Sequence, residues 1–154
     1  VTSREPAGRR RVILSAILLF GLTGSGTELL LLDHHEDFKQ AVPVALIAAA
    51  LVALAWHAAA ASRATVRGLQ AVMFLFVIAG LTGVVLHFQS TLEFQREIDP
   101  SLHGFQLVMK ALRAKAPPAL APGVMIQLGL IGLAFTYRHP ALDASGRAPT
   151  SNGD

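Results

Sequence analysis

The stretch VILSAILLFGLTGSGTELLLL, residues Val12–Leu32, decides the fold. Crossing a bilayer takes roughly 20 mainly apolar residues in a helix, and this run supplies them with one carboxylate, Glu28, near its far end. Arg9-Arg10-Arg11 flank it as they would flank a signal peptide. The apolar run is too long for one, though, and no small-residue cleavage site follows a short core, so the segment reads as retained. Three more stretches of similar length follow, Ala41–Ala61, Leu69–Phe88 and Ala119–Tyr137. The expected fold is all-α, a polytopic membrane protein with four transmembrane helices in two hairpins plus one external amphipathic helix.

Composition agrees. The 154 residues are 53% hydrophobic and 15% charged, whereas a soluble domain carries roughly 25% charged residues. One transmembrane domain, residues 12–137, is expected between an N-tail, 1–11, and a C-tail, 138–154, leaving little chain for a soluble catalytic unit. There is no cysteine, which excludes disulfides, thiolate metal sites, cysteine-ligated clusters and covalent c-type haem. The net charge of +3 marks membrane sidedness rather than a nucleic-acid surface.

With the N-terminus inside, Arg4, Arg9, Arg10, Arg11, Arg63, Arg67, Arg138 and Arg147 fall on the cytoplasmic side. Lys39, Arg96, Lys110, Arg113 and Lys115 fall opposite, with most of the carboxylates. The short loop holding Arg63 and Arg67 carries no acid and is the cleanest marker, since the positive-inside rule acts most strongly on short loops. The expected location is the bacterial inner membrane, multi-pass, with both termini cytoplasmic.

Between the third and fourth stretches the pattern changes. Leu102, Phe105, Met109 and Leu112 recur at helical spacing, with His103, Gln106, Lys110 and Arg113 on another face. This predicts an amphipathic helix over 101–115, with Asp99 as N-cap and Pro100 at the first helical position. Two placements suit it: flat on the outer membrane surface, or in a groove of a partner, with the four apolar residues as the docking face.

Gly21-Leu22-Thr23-Gly24 recurs as Gly80-Leu81-Thr82-Gly83. Small residues let membrane helices approach closely, so the four glycines predict contact between the first and third spans. The same register aligns Glu28 with His87. An intramembrane carboxylate is expensive unless it faces protein or a partner. Pairing of Glu28 with His87 is one reading; snorkelling of Glu28 to the nearby surface is the plainer one.

The outer side also gathers His34, His35, His87 and His103 among carboxylates that include Glu93 and Glu97. Imidazole and carboxylate together can bind zinc, copper or iron, yet no spacing here is diagnostic and no Glu-x-x-His motif completes a di-iron site. A b-type haem would need facing histidines. His57, near the cytoplasmic end of its span, and His87, near the outer end of its own, fall on opposite sides and cannot share one haem. His57 with His139, or His87 with His34 or His35, are the remaining pairs, and His139 lies past its span beside Pro140. A chlorin would need only one histidine. Against each stands an ordinary interfacial imidazole. No serine–histidine–aspartate set, phosphate loop or selectivity filter is visible.

Two stretches resemble a known group: Gly26 through Asp33-His34-His35-Glu36-Asp37 to Pro43, and Leu120-Ala121-Pro122-Gly123 through Gln127 to Tyr137-Arg138-His139-Pro140. They are similar to small uncharacterised four-helix bacterial membrane proteins. The resemblance implies a membrane bundle and no activity. The expected function is a non-catalytic accessory subunit of a larger respiratory or photosynthetic membrane complex, with lipid and other integral-membrane proteins as partners. The alternative is a redox membrane protein binding metal, haem or chlorin through its histidines.

Overall fold

The computed structural model describes residues 5–33, 38–114 and 120–143. Among these the chain is helical and contains no strand. The helices are α1 (Glu5–Leu31), α2 (Phe38–Ala59), α3 (Arg63–Ile98), α4 (Gly104–Leu112), α5 (Leu120–Thr136) and α6 (Pro140–Asp143). Three of them, α1, α2 and α3, are long and apolar enough to cross a membrane, and α5 is a shorter apolar helix of 17 residues.

The boundaries follow local chemistry. Helix α1 begins at Glu5, so Arg9, Arg10 and Arg11 of the expected N-tail occupy its first turns. Asp33, with φ 51°, turns the chain out of α1. Helix α2 starts at Phe38, which leaves Pro43 inside the helix rather than in its first turn and removes one backbone hydrogen bond. Ser62 caps α3 and forms a reciprocal capping box with Thr65. At 36 residues, α3 is about 54 Å long, well beyond the roughly 30 Å of a bilayer core. Its polar last turns run on as one helix to Ile98, where Asp99 is the C-cap and Pro100 follows.

Helix α4 starts later than its sequence signals predict. Asp99 is the C-cap of α3, and its carboxylate accepts from the hydroxyl and the backbone N–H of Ser101, so it is not free to cap α4. Those two bonds, with Lys110 at 3.8 Å, hold the Asp99 carboxyl below the usual carboxylate range. His103 takes the N-cap position without a side-chain cap bond, and Gly104 enters the helix at φ +53°. The face packed on α3 is Leu107 and Ala111. Of the expected docking face, Phe105 (78%) and Leu112 (51%) are exposed, while Leu102 and Met109 are half-buried.

The four longer helices form a ring. Helix α3 packs most extensively on α5 and next on α2, and α1 packs on α5 and α2. The core is Leu18 and Leu22 of α1, Ile47, Ala50 and Ala53 of α2, Leu69, Met73 and Phe76 of α3, and Met125, Leu128 and Phe135 of α5.

The glycines explain the strongest contact. A Cβ added to Gly80 would lie 2.8 Å from the Pro122 carbonyl oxygen, and one on Gly83 would lie 2.9 Å from Pro122 Cβ. On the facing helix, a Cβ on Gly129 would lie 2.8 Å from the Met73 carbonyl oxygen, and one on Gly132 would run into the Met73 side chain. Gly21 receives Leu128, and nothing lies within 4 Å of Gly24. The expected contact between the two Gly-Leu-Thr-Gly faces is therefore not present. Helix α5 stands between α1 and α3, and Gly21, Gly80 and Gly83 all turn toward it.

These distances set a graded expectation for thermal unfolding in detergent. Gly129→Ala should destabilise by about 1–3 kcal/mol, because a backbone carbonyl blocks it. Gly132→Ala should cost less, since the flexible Met73 side chain can move aside. Gly24→Ala meets nothing and should be neutral or stabilising by up to about 1 kcal/mol through helix propensity.

Candidate functional site

The polar side chains with the most interactions lie at one end of the ring, where α1 and α3 begin and α2 and α5 finish. This is the end that carries Arg9, Arg10, Arg11, Arg63, Arg67 and Arg138. His57, in the last turn of α2, is only 7% exposed. Its Nδ1 lies 3.1 Å from Thr65 Oγ1. The Thr65 hydroxyl oxygen also accepts from the Ser62 N–H at 3.0 Å and faces the carbonyl oxygens of Ala60 and Ser62 at 3.1 and 3.0 Å. A hydroxyl has one proton, and only the carbonyls must receive it. His57 therefore donates from Nδ1–H, and the Thr65 oxygen is saturated.

The other wall comes from the end of α5. Phe135 meets the His57 ring edge-on, with centroids 5.7 Å apart. Past Thr136 the chain turns through Arg138, whose φ of 48° is unusual for a residue with a side chain. That turn swings His139 back over the bundle, its ring centroid 4.8 Å from that of His57 at 81°. The Ala141 N–H donates to His139 Nδ1 at 3.2 Å, so the neutral His139 ring carries its proton on Nε2. Arg11 of α1 closes the site by donating from Nη2 to the Arg138 carbonyl at 2.8 Å. Its Nε is buried without a hydrogen-bond partner. Burial holds the His139 imidazole below its ordinary value, and the facing His57 and Arg11 push it the same way.

This chemistry suits proton exchange and the fastening of helix ends. It does not suit a metal between the two histidines. Ligation through His139 Nε2 would first require displacing a proton that the Ala141 N–H keeps there, beside an arginine. Nor do perpendicular rings in edge contact leave room for a porphyrin, which separates its axial imidazoles by the iron and two coordination bonds.

The other sequence-derived candidates are dispersed. Glu28 is exposed on α1, in a shallow groove with Phe20, Thr23, Gly24, Thr27, Leu31 and Leu32. His87 is exposed on α3, and its carbonyl accepts from the Thr91 hydroxyl at 2.8 Å. Among the described residues no hydrogen bond or ion pair joins Glu28 to His87. Glu93, Glu97 and His103 are exposed, and no group of three metal-ligating side chains assembles among the described residues. His34 and His35 lie outside the described residues.

Sequence reasoning missed Gly129 and Gly132 as packing residues and Thr65 and Arg11 as partners of the histidines. The Ser62–Thr65 spacing was a readable cap signal. Nothing local announces that a threonine at a helix start will receive a histidine from the helix before it.

Thr65→Val keeps the shape and removes the hydroxyl, stranding the His57 N–H and the Ser62 N–H together. It should lower stability by about 1–3 kcal/mol, while Thr65→Ser should recover most of that loss in the same thermal assay.

No protein family, curated protein or solved structure matches the chain.

Proposed function

We propose that the protein is a small, non-catalytic accessory subunit of the bacterial inner membrane that docks on other integral-membrane proteins. In this reading α5 is the fourth span, α1–α2 and α3–α5 are the two hairpins, and both termini are cytoplasmic. The host is an electron-transport assembly, respiratory or photosynthetic; small accessory helices are at home in such complexes.

The observation that carries the reading is Glu28. It is exposed on the outward surface of α1, one turn before the helix ends, and Leu29–Leu32 follow it. No hydrogen bond or ion pair within the described residues reaches its carboxylate, whereas the hydroxyls of Thr23 and Thr27 beside it return to carbonyls of their own helix. A carboxylate turned toward lipid is costly, and a neighbouring membrane helix offering a donor removes that cost. Gly24, one turn below, leaves open space in which such a helix can approach closely. The exposed apolar face of α4, Phe105 and Leu112, offers a second contact outside the membrane core.

A photo-crosslinking residue at Gly24, activated in native membranes, should give a discrete protein adduct. The same residue at Val52, on the exposed side of α2, should give lipid adducts only. Glu28→Leu should reduce the Gly24 adduct several-fold while shifting the stability of the isolated protein by no more than about 0.5 kcal/mol. Equal, lipid-only labelling at both positions would remove the docking reading.

A further inference from the structure

We propose that His57 and His139 form a proton-operated latch, which holds the turn from Tyr137 to Asp143 on the bundle while both rings are neutral and releases it when they are protonated. The latch lies at the opposite end of α1 from Glu28 and does not depend on the docking reading.

His139 Nδ1 is an acceptor, receiving the Ala141 N–H and so capping α6. A protonated imidazole has two N–H donors and no acceptor. Protonation therefore turns that bond into a clash of two donors and uncaps α6. His57 is fixed as a donor by the saturated Thr65 hydroxyl, so a second proton enters at Nε2 and makes the ring a cation. Two imidazolium rings 4.8 Å apart repel each other.

The cation that α1 brings against His139 works the same way. From α1, Arg11 is fastened to the Arg138 carbonyl. From the turn, the Arg138 guanidinium lies 5.4 Å from the Tyr137 ring centroid. From α3, Thr65 faces His57 directly, with Arg63 and Arg67 exposed on the same first turns. From α6 comes Asp143, whose side chain lies outside the described residues. No described carboxylate is paired with either imidazole.

The pH direction follows. In the released segment, His139 titrates near its ordinary 6.5, while in the latched form burial and its cationic neighbours hold it lower. The released form thus binds more protons below that value. Latching is complete above it and weakens as the pH falls through it.

The cysteine-free chain permits a direct test. A nitroxide is attached to Leu142→Cys at neutral pH and the full-length protein is reconstituted in nanodiscs, with Val52→Cys as a control. Between about pH 7.5 and pH 5.5, the range in which histidine changes charge, the mobile fraction at position 142 should rise several-fold and the signal at 52 should not change. His139→Asn keeps a side-chain oxygen for the Ala141 N–H and cannot titrate, so it should abolish the rise. Flat mobility at 142, or an equal rise in His139→Asn, would overturn the latch. If the label itself loosens the turn at neutral pH, 15N spectra of the histidines in unlabelled protein decide. His57 protonated on Nδ1, and a His139 midpoint below the ordinary 6.5, support the latch. An ordinary midpoint for His139 overturns it.

Discussion

The approach of α5 to α3 at glycine is the contact on which the rest of the structure depends. Inside a bilayer, apolar side chains gain nothing by leaving lipid for one another, so helices associate through close packing. Here that packing is reciprocal. Gly80 and Gly83 receive Pro122 and Ile126 of α5, and Gly129 and Gly132 receive the Met73 turn of α3. Helix α5 then presents Leu128 to Gly21 of α1. The shortest of the four main helices is thereby the shared neighbour of α1 and α3. Its position also determines where the chain emerges at Arg138 and hence where His139 can reach.

Much of the helix content was legible in the sequence because apolar runs and their polar stops are local signals. The long third helix and its end at Asp99 follow directly from them. Neighbour relations were not legible. A glycine face states that something comes close without saying what, and the repeated Gly-Leu-Thr-Gly motif suggested a partnership of α1 with α3 that α5 occupies instead. The idea that Glu28 meets His87 needed that adjacency and goes with it. Helix α4 shows a different limit. Asp99 and Pro100 are sound start signals taken alone, but one carboxylate cannot both serve Ser101 at the end of α3 and cap the next helix.

The histidine site was partly in view, since His57 and His139 could be named as a pair. What brings them together could not be read. It is a left-handed backbone at Arg138, and arginine carries no preference for that conformation. The contrast with Glu28 is instructive. The buried imidazole of His57 sits among groups that match it donor to acceptor, whereas among the described residues no group meets the carboxylate on the outer surface of α1.

Helix α3 is a single rod with no proline between its Ser62 cap and Ile98. Such a rod has no hinge. One end is set by the Ser62–Thr65 box into which His57 bonds, and the other carries α4 through Leu107 and Ala111. A change of tilt at the capped end sweeps the far tip through an arc set by the whole length of the helix. The apolar face of Phe105 and Leu112 rides at that tip, so its position is registered against the histidines at the other end of the molecule.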